Sequence, residues 1–152
     1  MKRWLVLTMV FGLVCGLAGV VMAGGTATVA VSGNVVGTCK FNSGGSISFT
    51  LDPATGGDVN GTVTQPEFWC TKNATYAISD DNGLNESGTT HRMKHLTEAD
   101  LIPYTFTYTA SGPGGGKSSP ITMNIASTVV EADYVNASAG SYSDTVTLTI
   151  TP

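Results

Sequence analysis

Charge is scarce in this sequence. Only 12% of its 152 residues are Asp, Glu, Lys or Arg, and seven basic residues face eleven acidic ones. The basic residues form no cluster, which argues against a nucleic-acid or anionic-membrane surface. Helical signal is missing too: no stretch of ten or more residues repeats its apolar positions every three to four residues. At most "THRMKHLTEADL" could wind a turn or two. Three cysteines and two histidines are too few for a ligand-rich metal module. Serines abound, but none sits in a glycine-flanked elbow and neither histidine has an evident partner, so no catalytic residue is expected. Nothing implies a cofactor. There is no internal repeat and no sign of a second domain.

One long apolar run is present, at the N-terminus. Lys2 and Arg3 precede an apolar stretch over residues 4–20, interrupted by Gly12, Gly16 and Gly19. Val21-Met22-Ala23 then supplies the small-x-small pattern of a cleavage site, so residues 1–23 read as a signal peptide. The chain is therefore expected to be exported. The remaining 129 residues, 24–152, make one domain's worth of chain. Without Lys2 and Arg3, five basic residues remain against eleven acidic ones, a net charge of −6. Cys39 and Cys70 also remain, and an even pair in an exported chain predicts a disulfide.

What fills this chain is Thr, Ser, Gly and Val in short alternating runs, a composition that suits strands and turns. Strands are expected over residues 34–41 and 46–51, either side of a Ser43-Gly44-Gly45 turn. "TVTQPEFWCT" is strand-like, but Pro66 marks an edge, a bulge or a crossing between sheets. "ATYAISD" alternates and ends in the turn "DDNGLNESG". "LIPYTFTYTA" places Tyr104, Phe106 and Tyr108 on one face. "ASGPGGGKSSP" reads as a loop, "ITMNIASTVV" follows it, and "SYSDTVTLTITP" sets Tyr142, Asp144, Val146, Leu148 and Ile150 in one register. About seven strands without a βαβ rhythm predict an antiparallel sandwich of immunoglobulin-like type.

Several motifs tempt and fail. "SGPGGGKSS" lacks the first glycine of a phosphate loop, because Ser111 stands there, and Pro120 and a β-rich run follow where a helix is needed. His91 and His95, with Glu98 and Asp100 nearby, would share a metal only on a helix; on a strand they stand about 13 Å apart. "DDNGLNE" has its glycine too early for a calcium loop. No metal ligands are therefore assigned.

The run "GTATVAVSGN" raises a different question. Ala27, Val29 and Val31 point one way and Thr26, Thr28, Ala30 and Ser32 the other, the period-two mark of a half-buried strand. Chain ends are usually loose and polar.

The segments "TVAVSGNVVGTC", "FWCTKNATYAIS", "HRM", "IPYTFTY" and "AGSYSDTVTLTI", in that order and spacing, resemble the spore coat protein U domain family, which includes the pilins of archaic chaperone–usher fimbriae. The resemblance covers residues 26–152. It implies a sandwich that lacks its final strand, in a domain spanning residues 34–152, preceded by a donor-strand extension over residues 24–33. A periplasmic chaperone fills the gap first, and the N-terminal strand of the next subunit replaces it at an outer-membrane usher. On this sequence Ala27, Val29 and Val31 would be the donor side chains, with no side chain from Gly33 in the same register. Val146, Leu148 and Ile150 would line a wall of the acceptor groove. The expected function is a structural subunit of a surface fibre serving adhesion or biofilm formation. The competing expectation is a non-polymerising coat protein or carbohydrate-binding sandwich, with Tyr104, Tyr108 and Trp69 stacking on sugars. The partners would be neighbouring pilins, the chaperone and the usher.

Overall fold

The computed structural model describes residues 24–152; the expected signal peptide lies outside the described residues. These divide into an N-terminal segment, residues 24–33, and a compact unit, Asn34–Pro152. The segment forms no strand, and its side chains are exposed throughout.

The compact unit is an antiparallel β-sandwich with almost no helix. Its first five strands are β1 (Cys39–Phe41), β2 (Ser46–Ser48), β3 (Val59–Asn60), β4 (Thr62–Thr64) and β5 (Glu67–Cys70). Then come β6 (Thr75–Asp80), β7 (His91–His95), β8 (Leu101–Tyr104), β9 (Ser111–Pro113), β10 (Ile121–Thr122) and β11 (Thr128–Val129). A single helical turn, α1 (Glu131–Tyr134), precedes β12 (Tyr142–Ser143) and β13 (Leu148–Thr151). Ladders run β1-β5-β10, β2-β4, β11-β3, β13-β6-β9 and β12-β7-β8, and residues 105–107, just after β8, bond residues 126–128.

Period-two alternation explains the strands. In β6, Tyr76 and Ile78 are buried while Thr75, Ala77 and Ser79 face water; in β5, Phe68 and Cys70 are buried and Glu67 is exposed. The inner faces form two separate buried clusters. One gathers Phe68, Cys70, Tyr76, Ile78, Met123 and Ile125; the other gathers Ile102, Tyr104, Val129 and Tyr134. Half-buried Phe106 packs against both. Cys39 stands directly opposite Cys70 in the β1–β5 ladder, and the two are joined in the expected disulfide.

Several elements differ from expectation. Only Cys39–Phe41 of the run over residues 34–41 is strand, because Val35 and Val36 have nothing to pack on and remain exposed. "THRMKHLTEADL" becomes β7 and the turn into β8, since its apolar and ring side chains alternate toward the core. The start of the glycine-rich loop, Ser111–Pro113, pairs with β6 as β9. Gly112 permits this: a Cβ there would stand 2.8 Å from the Tyr76 hydroxyl. Pro66 sits at a crossing, between β4, which pairs with β2, and β5, which pairs with β1 and β10. Beside it the Gln65 amide substitutes for a ladder rung, donating to the Ile125 carbonyl and accepting from its N–H, both at 2.8 Å.

Candidate strand-acceptor groove

Two strand edges line one cleft with their free sides. β2 pairs with β4 alone, through Ser46, Ile47 and Ser48. The C-terminal segment pairs with β7 through β12 and with β6 through β13. Among the described residues neither has a ladder partner on its other side. Between them lies a cavity of about 420 Å³, lined by Ile47, Phe49, Val63, Phe106, Val146 and Leu148 among others. A second cavity of about 470 Å³ shares Phe49, Met93 and Tyr142 with the first and reaches Ile102, Tyr134 and Ala137. The two make one trough along the C-terminal segment. Its floor is largely apolar, and its rims carry backbone groups without ladder partners among the described residues.

The outer side of the C-terminal wall is held tightly. Its ladder is broken at residues 144–147, and the turn after β6 fills that break. Asp81 donates its N–H to the Thr147 carbonyl (3.2 Å), and its carboxylate accepts from the Thr147 N–H (2.8 Å). Asp144 accepts from the Leu84 N–H (2.9 Å) and from the Tyr104 hydroxyl (2.7 Å). The turn itself needs left-handed backbone at Asn82 (φ 58°) and Gly83 (φ 85°), residue types that tolerate it.

Beneath the groove the polar groups are satisfied. Asp80 accepts from the Tyr108 hydroxyl (2.8 Å) and lies 3.0 Å from His91 Nε2, while the His91 ring packs against Tyr104 and Phe106. Burial works against the Asp80 carboxylate, but hydrogen bonds from Tyr108, the Asn82 N–H and His91 outweigh it and hold its pKa below the usual value. Burial, reinforced by the bond to Asp80, pushes the Tyr108 phenol up to about 12. Burial and the bond to Asp144 raise Tyr104 likewise.

His91 and His95 lie on one strand and serve different elements. His95 Nδ1 accepts from the N–H groups of Thr97 (3.1 Å) and Glu98 (2.9 Å), capping the β7–β8 turn, and its Nε2 faces the Ala139 carbonyl. Among the described residues no cluster of His, Cys, Asp and Glu suits a metal. Every hydroxyl, carboxylate and imidazole named here has a structural partner, and none is aimed into the groove as a nucleophile with its base.

Of the acceptor residues expected from sequence, Val146 and Leu148 line the groove. Ile150 lies past its end, opposite Ile78. Ile47, Phe49, Val63, Met93, Phe106 and Tyr142 were not expected there. The alternation of Ile47, Phe49 and Leu51 is the signal that could have found the opposite wall. On the N-terminal segment, Val29 is 84% exposed and Val31 91% exposed. Tyr104 and Tyr108 are not sugar-stacking aromatics, because both turn their rings into the interior and bond carboxylates there.

The family model described as the Spore Coat Protein U domain matches residues 25–149, and the chain belongs to that family, which is structural and not enzymatic. No curated protein matches it. Among solved structures it is similar to a chain of the chaperone–tip adhesion subunit pre-assembly complex CsuC-CsuE, from archaic chaperone-usher Csu pili of Acinetobacter baumannii. Identity is 24% and the TM-score 0.45; the match covers 76% of this chain and 40% of that one.

Proposed function

We propose that this protein is a subunit of a surface fibre assembled by a periplasmic chaperone and an outer-membrane usher, and that its trough receives the N-terminal strand of a neighbouring subunit. The observation that carries this reading is the pair of unpartnered edges, β2 and the C-terminal segment, lining one apolar cavity. Membership of the Spore Coat Protein U domain family supports it. The dimensions also agree. Residues 26–32 extend over roughly 20 Å and the wall from Tyr142 to Leu148 over about the same length, at ~3.3 Å per residue.

Ala27, Val29 and Val31 are the donor side chains in this reading, and Val146 and Leu148 help to receive them. Two buried valines contribute roughly 1.5–3 kcal/mol each. Some six to eight new backbone hydrogen bonds add about 1 kcal/mol apiece. An empty trough with two open edges aggregates, so a chaperone must cover it after export. Adhesion or biofilm formation is the output of such a fibre.

Relocating the donor tests the proposal. Residues 24–33 are deleted and "TATVAVSG" is attached after Pro152 through a short flexible linker, which gives the strand an effective concentration in the millimolar range. The expected product is a soluble monomer that melts cooperatively without a chaperone and never polymerises. The deletion alone should aggregate. If size-exclusion chromatography and thermal melting find the deleted chain equally monomeric and equally stable, the sandwich is complete by itself and a non-polymerising coat protein is the better reading.

A further inference from the structure

Residues 24–152 contain a single tryptophan, Trp69. Its neighbours Phe68 and Cys70 point into the core, so Trp69 lies on the outer face of the β1-β5-β10 ladder, half-exposed. Lysine gathers around it. Lys40 is its cross-strand partner. Lys117 Nζ lies over the indole, 5.9 Å from the ring centroid. Lys72 flanks the same loop, since a Cβ at Gly116 would stand 3.6 Å from its own Cβ. All three lysines are exposed. They are three of the five basic residues in a stretch whose net charge is −6, a concentration that the sequence spreads over 78 positions and the fold collects.

We propose that Trp69, Lys40, Lys72 and Lys117 form a binding site for an acidic polysaccharide, a chain of sugars each bearing a carboxylate. The exposed part of the indole offers a flat apolar surface to the C–H face of a pyranose ring. The ammonium groups beside and above it receive the carboxylates, which land next to the ring because Lys117 is held there by the ring's own electron-rich face. Thr122, opposite Glu67, borders the site with a hydroxyl. Glu67, which accepts from the Thr122 hydroxyl at 3.4 Å, is the one carboxylate on these three strands, and it opposes an acidic ligand.

Other polyanions fit less well. Single-stranded nucleic acid is held by successive aromatic platforms along a basic groove, and here there is one platform. A protein partner needs an apolar centre to its interface, and this face carries one ring among threonines and lysines. The site lies on the outer face of its sheet and lines neither cavity of the trough, so it is independent of strand exchange.

The test measures retention of the full-length protein, as produced by the cell, on immobilised polygalacturonate, with dextran and oligothymidylate as comparators. Saturable binding to polygalacturonate is expected, weakening with salt, with none to dextran. The double substitution Lys40→Gln, Lys117→Gln should weaken it roughly fivefold, the scale of two exposed ion pairs. Trp69→Ala should weaken it about tenfold or more, the scale of one stacking contact. Glu67→Gln should strengthen it about twofold, an outcome that misfolding does not produce. No retention on polygalacturonate, retention unchanged in the lysine double variant at an unchanged melting temperature, or equally tight binding of oligothymidylate would each overturn the proposal.

Discussion

Residues 26–32, "TATVAVS", and residues 145–151, "TVTLTIT", are written in nearly the same grammar: threonine or another small residue alternating with an apolar one. Their fates in the folded chain are opposite. Leu148 and Ile150 are half-buried and their backbone is laddered to β6, whereas Val29 and Val31 are almost fully exposed and belong to no strand. Alternation therefore specifies which face of a strand is apolar but not whose edge completes it. The C-terminal run has a ladder partner within the chain, and the N-terminal run, with the same alternation, has none among the described residues.

Charging one side chain in each run separates the two most sharply. Leu148→Asp would place a carboxylate between the first buried cluster and the trough, at a cost of several kcal/mol, a large part of a domain's total stability. The compact unit itself should fail to fold, and no chaperone-bound subunit should accumulate. Val31→Asp changes a side chain that is 91% exposed in the isolated chain. The chaperone-bound subunit should accumulate as before, while fibres disappear because the carboxylate would be buried, unpaired, in a neighbour. Periplasmic yield and electron microscopy of the cell surface read both effects. If Val31→Asp unfolds the chaperone-held subunit, the two runs are alike and the donor assignment falls.

The second-largest effect concerns the point where the free run meets the fold. The chain enters the sandwich at Thr38, whose N–H donates to the Thr71 hydroxyl (3.0 Å), and is then fixed by the Cys39–Cys70 disulfide. With a sequence separation of 31 between the cysteines, removing the bond by Cys39→Ser, Cys70→Ser should cost roughly 3–4 kcal/mol in the chain-entropy view. The melting temperature should fall by roughly 10–20 °C or the domain should fail to fold at 37 °C, whereas changes within residues 24–33 should leave it untouched. Mass spectrometry of the unreduced protein checks the bond itself.

The sandwich was legible because buried and exposed positions alternate so regularly in β5 and β6, and because the two cysteines outside the expected signal peptide leave one pairing. The trough was legible only by half. Val146 and Leu148 could be found because they close the last alternating run. Phe49 follows the end of β2 and Met93 is the middle residue of β7, so their meeting in one cavity is a tertiary property. Tyr104 and Tyr108 carried no local sign of whether their hydroxyls would meet water or a carboxylate. The partners, Asp144 and Asp80, are 40 and 28 residues away. Lys40, Trp69 and Lys117 likewise meet only through β1–β5 pairing and the loop after β9.

The smallest expected effect probes how the C-terminal run is held. Asp80 is the last residue of β6, opposite Leu148, and it receives the Tyr108 hydroxyl. Its folded pKa is lowered, so the stability it contributes is full above the ordinary carboxylate pKa near 3.9 and is lost as pH falls through the depressed value. Tyr108 is raised to about 12, so the fold favours its protonated form; that contribution is full below the ordinary phenol pKa near 10 and is lost as pH rises from there toward 12. Tyr108→Phe keeps the ring, which packs edge-on to Phe106, and removes only the hydroxyl. It should cost about 1 kcal/mol at neutral pH. Two changes in pH dependence should accompany that loss. The acid limb of the stability curve should move to higher pH, because Asp80 loses one of the donors that depress it, and the part of the alkaline limb between pH 10 and 12 should flatten. Chemical denaturation of the donor-relocated monomer across pH 3 to 12 measures both. The corresponding change in the N-terminal run, Thr28→Val, removes a hydroxyl that meets no partner among the described residues and should leave both limbs where they are. A flattened alkaline limb in the Thr28→Val protein, or an unmoved acid limb in the Tyr108→Phe protein, would show that the two runs are not held as differently as their exposures indicate.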